Sequence, residues 1–356
     1  MARRKKPSGN QIDRRQFVKR SAALGAAVFG AGAGRIFAAG SDVVRVGVIG
    51  CGGRGTYDAT NCLRAAENVE LVAMADLFQD RLEEARTTLT QRLGNKVKVA
   101  NEACFVGWDA YKKLLARDDV DLVILTTPPH FRPMHIAEAV KAGKHIFAEK
   151  PVAVDPVGVR SVMASAEIID QKKLTFVAGT QMRRIAHLVA GMQRLHDGAI
   201  GELVSGQCVR LGGGMTNWGP KPQADWSQME WHLRRWLFVT WLSGDFIAEM
   251  HVHNLDLVNW AFGAHPVKCT GLGGRQVRTE PQFGNVYDHM SVEYEYPGGV
   301  RVEYMGAQID KITFRNDQWF VGTKGRAYMD FANTMITGEN PFTYDGPSPS
   351  PVLKQH

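Results

Sequence analysis

The stretch "AEMHVHNLDLVNW" holds four side chains with acid–base or metal-binding chemistry. On a helix over residues 249–260, Glu249, His253 and Asp256 follow one another at spacings of four and three, so they share one face. Histidine, with an ordinary pKa of about 6.5, is suited to take up a proton near neutral pH. This face therefore predicts a proton-transfer site in which His253 is the general base.

The second histidine of the stretch, His251, lies two residues before His253, which is about 200° around a helix. A chelating pair on one helix needs a spacing of four residues, so a helix separates the two rings. A metal site that adds Glu249 and His289 stays open only if the segment before His253 is extended, because extended residues alternate with a period of two. We favour proton transfer without a metal, and the role of His251 stays open.

A lysine ends another predicted strand, in "AGKHIFAEKP". If this strand belongs to a parallel sheet, Glu149 and Lys150 lie at its carboxyl edge, where sheets of this kind bind ligands. The Lys150 ammonium would there stabilise the alkoxide that forms when a hydroxyl loses its proton. The sequence therefore predicts that Lys150 joins His253 in one catalytic site.

A glycine-rich turn predicts the binding site of a cofactor that would act together with Lys150 and His253. In "VGVIGCGGRG", Gly50, Gly52 and Gly55 follow a β-branched run and precede a predicted helix, so backbone N–H groups can approach a pyrophosphate there. Asp76 ends the next predicted strand, where a carboxylate binds ribose hydroxyls. No arginine follows it directly in "DLFQ", so we expect NAD rather than NADP.

Strands and helices alternate through the first half of the chain. Runs such as 69–76 indicate buried strands, and stretches such as 79–93 indicate amphipathic helices. The α/β alternation predicts a Rossmann domain, with a doubly wound parallel sheet, over residues 41–165. Longer alternating strands, including a hairpin over 289–308, predict an α+β domain with a large open, mainly antiparallel sheet over 166–335.

The two ends of the chain differ from its body. Residues 1–40 pair a basic start containing Arg14–Arg15 with an Ala/Gly-rich stretch, which resembles a twin-arginine export signal. Nine basic residues against Asp13 give this leader a charge of +8, more than the +7 of the whole chain, so the body is nearly neutral and favours no nucleic-acid partner. We expect a periplasmic or secreted protein with no stable membrane insertion after signal removal, and a loose tail over 336–356.

Taken together, these motifs resemble the Gfo/Idh/MocA oxidoreductases over about residues 43–330. The resemblance rests on the glycine turn, "TTPPHFRPMH", "AGKHIFAEKP" and the later acid–histidine stretch, and the leader points to a secreted branch that includes NAD-dependent glycosidases. It implies a sugar or cyclitol substrate and a homo-oligomer formed through the open sheet. Export in turn favours a tightly bound NAD, because free NAD is scarce outside the cytoplasm. Relatives usually continue further past residue 330, so it stays open whether the chain is naturally short.

The resemblance also places roles on individual residues, with Lys150 and His253 catalytic. Glu249 stands where relatives carry aspartate, which leaves its hydroxyl geometry open, and of two neighbouring arginines we choose Arg184. The substrate-binding candidates are Glu249, Arg184, His251 and Asp256. The cofactor-binding candidates are Gly50, Gly52, Gly53, Arg54, Gly55, Asp76, Thr127, Pro128, His130, His135, Glu149 and Gln181.

Three functions compete on this basis. We expect an NAD(H)-dependent oxidoreductase acting on a secondary hydroxyl of a sugar, glycoside or cyclitol. The alternative is a glycoside hydrolase that oxidises its substrate transiently, eliminates the aglycone and re-reduces the sugar. A non-enzymatic sugar-binding protein is less favoured because both Lys150 and His253 are present. The sequence leaves open which sugar is bound.

Overall fold

The computed structural model describes residues 43–346 of the chain. The predicted leader, and the part of the predicted tail beyond residue 346, lie outside this range. Within it the chain forms two domains, each built on one sheet.

The first domain is a six-stranded parallel sheet in the order β3-β2-β1-β4-β5-β6. Its strands are β1 Val44–Ile49, β2 Val69–Asp76, β3 Cys104–Val106, β4 Leu122–Leu125, β5 His145–Ala148 and β6 Phe176–Ala178. Its helices are α1 Gly53–Ala65, α2 Gln79–Leu93, α3 Ala110–Leu115, α4 Arg132–Lys141 and α5 Pro156–Lys172.

Strand β1 lies in the middle of this sheet, between β2 and β4. Val46, Val48 and Ile49 are buried in the domain core, as expected for a parallel strand covered on both faces. The carboxyl ends of β1, β4 and β5 therefore meet at one edge. The predicted Rossmann fold is confirmed.

The second domain is an eight-stranded sheet in the order β14-β13-β12-β11-β7-β10-β9-β8. It is mainly antiparallel, but β7 and β10 run parallel at its centre. The strands are β7 Leu203–Gly212, β8 Lys268–Gly274, β9 His289–Glu295, β10 Arg301–Gln308, β11 Arg315–Gly322, β12 Gly325–Asp330, β13 Thr334–Gly338 and β14 Phe342–Thr343. The helices are α6 Ala186–His196, α7 Gln228–Arg234, α8 Thr240–Ser243, α9 Asp245–Glu249 and α10 Val252–Phe262.

Two domain boundaries differ between the prediction and the structure. Helix α5 runs through residue 165, and β6 pairs with β5, so the first domain extends to Ala178 rather than ending at the predicted position. The predicted tail is also not loose from its start, because β13 and β14 pair and extend the second sheet. Glycine and proline at the start of this predicted tail suggested a loose segment, but in the structure they lie at the connection between the short strands β13 and β14.

The helix predicted over 249–260 is two helices. Helix α9 ends at Glu249 and α10 begins at Val252, with Met250 and His251 between them. Both Met250 and His251 donate their backbone N–H groups to the carbonyl of Phe246. Glu249 therefore lies on a different helix from His253 and Asp256.

No helix in the described part of the chain is both long enough and apolar enough to cross a membrane.

Candidate active site

The glycine turn lies at the carboxyl end of β1. Gly50 has φ of 99°, a conformation that favours glycine, and a Cβ there would lie 2.7 Å from the Thr127 nitrogen. A Cβ on Gly55 would lie 1.9 Å from the Gly50 carbonyl oxygen. Cβ atoms on Gly52 and Gly53 would meet nothing within 4 Å. Two glycines therefore close the turn, and the other two leave the backbone of the α1 N-terminus open to a ligand.

Asp76 closes the same turn from β2. Its carboxylate accepts the backbone N–H groups of Cys51 at 2.6 Å and Phe78 at 2.8 Å. Burial raises the pKa of Asp76, and these two hydrogen bonds oppose the rise. Each carboxylate oxygen keeps a second acceptor position, so the group can still bind ribose hydroxyls.

A cavity of about 610 Å³ opens in front of the glycine turn. Its size falls within the range of about 300–1,000 Å³ for small-molecule and cofactor sites. Gly52, Gly53 and Asp76 line it, as does Arg81, a cation near Asp76 that the sequence interpretation did not weigh. The open turn, the acceptor carboxylate and the adjoining cavity fit a dinucleotide such as NAD.

The "TTPPHFRPMH" segment forms the wall opposite Asp76. Thr127, Pro128 and His135 line the cavity, and the Thr127 hydroxyl lies 3.0 Å from the His135 Nδ1. Burial lowers the pKa of His135 to about 4, so its ring is neutral at pH 7. His130 is exposed and packs against Trp241, with ring centroids 5.0 Å apart. It does not line this cavity, in contrast to its predicted cofactor contact.

Lys150 follows β5 and is held by a carboxylate of the second domain. Its Nζ donates to the Glu249 Oε1 at 2.7 Å and also to the Glu249 backbone carbonyl. Burial raises the pKa of Glu249, while Lys150 opposes the rise. An ammonium has three donors, so one N–H of Lys150 remains for a substrate oxygen.

A second group of charges lies behind Lys150. Glu149 is buried and pairs with Arg54, which also contacts Asp58 at 3.1 Å. Arg132 is buried as well and donates to the Pro151 carbonyl at 2.5 Å. Burial, with Glu149 nearby, raises the pKa of Asp58 to about 7. Arg54 and Glu149 therefore link the glycine turn to the strand end that carries Lys150.

A smaller cavity of about 200 Å³ adjoins the first. The two share Arg54, Lys150 and Met250 in their linings. His253 and Gln181 line only the smaller one, so Gln181 faces the same space as the candidate base. The smaller cavity is therefore where a substrate can reach both His253 and Lys150.

Three predicted substrate contacts lie elsewhere. His251 is fully buried and contacts the Tyr304 hydroxyl at 2.5 Å and the Gln308 side chain at 3.2 Å, because the break before α10 turns its ring towards β10. Asp256 is bound by Arg183 at 2.7 and 2.9 Å. Arg184 is exposed and lines neither cavity. None of the three reaches the space beside Lys150.

No group of three His, Cys, Asp or Glu side chains within residues 43–346 is arranged to hold a metal ion. His289 contacts the Asp288 carboxylate at 2.7 Å, and His251 contacts Tyr304. The side chains considered as metal ligands therefore serve separate hydrogen-bond partners.

A segment whose tryptophans the sequence marked only as possible sugar contacts lines the larger cavity. We name residues 213–237 the covering segment. Its Met215, Trp218 and Trp236 line the cavity. Arg234 anchors it, donating to both carboxylate oxygens of Asp80 at 2.8 and 3.1 Å and lying 3.9 Å over the Phe78 ring. Arg234 ends the short helix α7 and Trp236 lies in a single 3-10 turn, so no long periodic pattern places these residues at a site.

Arg132, Asp58 and Arg210 were also missed. Arg210 lines the smaller cavity, and Arg132 lines the larger one. In the sequence each is a single charge within an otherwise ordinary helix or strand. Only Arg210 had a sequence signal for its position. It lies two residues after Cys208 on β7, so both side chains point to the same face of the sheet.

Comparison with protein families gives two matches. Residues 44–179 match the model GFO_IDH_MocA, described as an oxidoreductase family with an NAD-binding Rossmann fold. Residues 190–328 match the model of the GFO/IDH/MocA C-terminal domain. Between them the two models cover most of the described chain, and both domains are accounted for.

Curated relatives match over part of their length. A 2,7-anhydro-N-acetylneuraminate hydratase of Escherichia coli is 26% identical over 72% of this chain, and the match spans 64% of the hydratase. A glycosyl hydrolase family 109 protein of Shewanella baltica is 34% identical over 48% of this chain, but the match spans only 35% of that protein. The chain thus spans about two thirds or less of these relatives.

Solved structures share the fold. The aldose-aldose oxidoreductase of Caulobacter crescentus superposes with a TM-score of 0.67 at 18% identity, over 88% of this chain and 86% of its own. A levoglucosan dehydrogenase in complex with NADH and levoglucosan gives a TM-score of 0.66 at 17% identity, over 88% and 83%. At these identities the likeness concerns the fold alone.

Proposed function

The chain belongs to the Gfo/Idh/MocA oxidoreductase family, and on that premise we propose that it is an NAD(H)-dependent oxidoreductase acting on a secondary hydroxyl of a sugar, glycoside or cyclitol. One observation carries the proposal: Lys150 lines both the nucleotide-sized cavity and the smaller cavity of His253. A substrate in the smaller cavity has its hydroxyl beside Lys150, where the two spaces meet.

The chemistry divides between the two side chains. His253 takes the hydroxyl proton, and the free N–H of Lys150 stabilises the alkoxide oxygen as it forms. NAD, held by the glycine turn and Asp76, would supply the acceptor for the hydride that leaves the carbon, so that the alcohol becomes a ketone. In the reverse direction Lys150 polarises the ketone, and His253 returns the proton. Glu249 keeps Lys150 in position through its carboxylate and its carbonyl.

Similar proteins support a carbohydrate as the substrate. The two solved structures named above are described as an aldose-aldose oxidoreductase and a levoglucosan dehydrogenase. Both act on sugars by their names, and both share the two-domain fold. We therefore place a small sugar, glycoside or cyclitol in the cavity beside His253.

The second candidate is an NAD-dependent glycoside hydrolase, favoured by the likeness to the glycosyl hydrolase family 109 protein. Oxidation of one ring hydroxyl acidifies the neighbouring C–H. Loss of that proton expels the aglycone with its bonding electrons. Water then adds to the double bond, and return of the hydride restores the hydroxyl. The net reaction is hydrolysis, and the same Lys150 and His253 serve it.

We further propose that NAD is held tightly, because the covering segment lines its cavity and Arg234 anchors that segment to the first domain. The basic leader supports twin-arginine export to the periplasm or beyond, where free NAD is scarce. Exposed apolar residues on the second sheet, including Met305 and Trp319, support a homo-oligomer formed through that sheet.

The proposal is tested on the purified protein. We expect denaturation to release about one NAD per chain. Native protein is then incubated with free sugars and aryl glycosides. Lasting reduction of the bound nicotinamide on addition of a sugar indicates the dehydrogenase, and repeated aglycone release without added NAD indicates the hydrolase. Neither signal, with Lys150→Met indistinguishable from wild type, would contradict both.

A further inference from the structure

Arg210 is a cation of the smaller cavity that the proposed reaction does not use. It lies near the end of β7, opposite Gly306 of β10 and Asn316 of β11. Its side chain points to the same sheet face as that of the fully buried Cys208. Arg210 therefore marks the point where the core of the second domain ends and the cavity with Lys150 and His253 begins.

The other cations of this cavity have carboxylate partners. Arg54 pairs with Glu149 and Asp58, and Lys150 pairs with Glu249. Among the described residues, no carboxylate forms an ion pair with Arg210, and its buried Nε has no hydrogen-bond partner. Burial accordingly lowers the pKa of Arg210. Of the arginines and lysines that line this cavity, Arg210 is thus the one left without a carboxylate partner among the described residues.

The neighbours of Arg210 on the sheet are neutral. Gly306, directly opposite, has no side chain, and a Cβ there would lie 2.7 Å from the His251 Nδ1. Burial, and then Arg210 itself, lowers the pKa of His251 well below its usual value, so the ring that fills this space is uncharged. On the other side, Asn316 accepts from the Asn254 amide at 2.7 Å.

An unpaired, largely buried guanidinium is costly unless a ligand supplies the counter-charge. Its planar N–H groups match a carboxylate, which they bind through two parallel hydrogen bonds. A neutral sugar offers only hydroxyl acceptors and leaves the charge uncompensated. One carboxylate on the ligand would supply the ion-pair partner that Arg210 lacks.

We propose that Arg210 selects an anionic substrate: a sugar acid whose carboxylate binds Arg210 while a ring hydroxyl lies between Lys150 and His253. This rests on the proposed function for the position of the hydroxyl. It adds the substrate class and a specificity-determining residue to it. Uronic acids, their glycosides and nonulosonic acids carry a carboxylate on a sugar ring and belong to this class.

The test compares each acid with its own methyl ester, which keeps the ring and removes the charge. D-Glucuronate, D-galacturonate and N-acetylneuraminate, each with its ester, are titrated calorimetrically into the NAD-loaded protein. We expect at least one acid to bind about tenfold or more tightly than its ester. Equal binding of acid and ester in every pair, or no binding of any acid, overturns the proposal.

Variants of Arg210 test whether this residue causes the preference for the acid over its ester. Arg210→Met is expected to remove the preference for the acid, and Arg210→Lys to keep part of it because the charge stays and the paired donors are lost. The control is Arg301→Met, an exposed arginine of the neighbouring strand that pairs with Glu293, which is expected to match wild type. An acid preference that persists in Arg210→Met contradicts the assignment.

Two controls distinguish a failure of this inference from a misfolded variant and from a failure of the proposed function. NAD content and the melting temperature identify a variant that does not fold, and the acid-to-ester ratio of the wild-type protein needs no variant. The titrations measure binding and require no turnover. Failure of the proposed function, seen as absence of hydride exchange with any sugar, is therefore distinguishable from failure of this inference.

Discussion

Lys150 is positioned by contacts that leave it one free donor. Two of its three N–H groups are directed to Glu249, and little of either side chain is exposed. A buried carboxylate prefers to be neutral, and burial raises the pKa of Glu249 while the nearby Lys150 opposes that rise. The rotational freedom of the lysine is already lost before a substrate arrives, which favours stabilisation of a developing alkoxide.

Replacing this lysine tests its role. Lys150→Met is expected to lower turnover by about 10²–10³-fold, the usual effect of removing one donor to a developing anion, while NAD content stays near one per chain. Steady-state kinetics and cofactor content measure both. Because loss of one partner of a buried pair also destabilises the fold, Lys150→Arg serves as the charged comparison. Full turnover in Lys150→Met contradicts the role.

Asp58 gives the site a pH-dependent stability. Its pKa in the folded protein is about 7, above the value of about 3.9 for an unperturbed aspartate. The protonated form therefore contributes stability that is complete below about pH 3.9 and is lost as pH rises through 7. Asp58→Asn keeps the neutral state at every pH.

We expect the variant Asp58→Asn to gain stability over wild type as pH rises. Between pH 5 and pH 8 the difference in the free energy of unfolding should grow by on the order of 2 kcal/mol, because one pKa unit corresponds to about 1.4 kcal/mol. Urea unfolding at both pH values measures it. A difference that is constant with pH shows that Asp58 is ionised throughout.

At the scale of elements, local patterns were predictable and long-range partners were not. The glycine turn followed from residue types within one β–α unit, and α2 and β2 were predicted with their observed bounds. The break between α9 and α10 was not, because the His251 ring is drawn to Tyr304, more than fifty residues away. A tertiary contact overrode a good helical pattern.

Residues of the site were also predictable where a motif contains them and not where a long-range contact positions them. Lys150 and His253 were identified from motifs, and the structure brings them to adjoining cavities. The pairing of Arg54 with Glu149, 95 residues apart, and the position of Arg210 depend on how strands from separate parts of the chain lie side by side. Spacing along the sequence carries no information about such contacts.

The covering segment yields a prediction about cofactor release. Arg234→Met removes an exposed two-point ion pair with Asp80 and a stacking contact with Phe78, worth roughly 1 kcal/mol together. NAD is therefore expected to leave about fivefold faster. Stopped-flow release into a cofactor-consuming trap measures the rate. Arg301→Met is the control, and an unchanged rate in Arg234→Met means that the anchor does not retain the cofactor.

At the scale of the whole molecule, the second sheet presents apolar side chains to solvent. Leu272, Met305, Trp319 and Met335 are exposed on strands of this sheet, and surfaces of this kind commonly mark an interface. They lie on the sheet and not in the cavities. An interface here would join copies of the chain without blocking the site.

The variant Trp319→Asp tests the proposed oligomer. A charge at this position is expected to shift the protein from oligomer to monomer, because an unpaired charge in an apolar interface is costly. Sedimentation velocity measures the mass, and NAD content serves as the folding control. A wild-type protein that is monomeric at all concentrations, or a variant that stays assembled, contradicts an interface at Trp319.

The central claim is that hydride passes between a sugar carbon beside Lys150 and the bound nicotinamide, and isotope transfer tests it most directly. The NAD-loaded protein is mixed with sugars that carry deuterium on their ring carbons. The cofactor is then released and weighed by mass spectrometry. In samples quenched during turnover we predict deuterium on the nicotinamide of the wild-type protein, which a dehydrogenase keeps and a redox-cycling hydrolase returns to the sugar, and a greatly reduced amount in Lys150→Met. A substrate that is converted while the nicotinamide stays free of deuterium would contradict the claim.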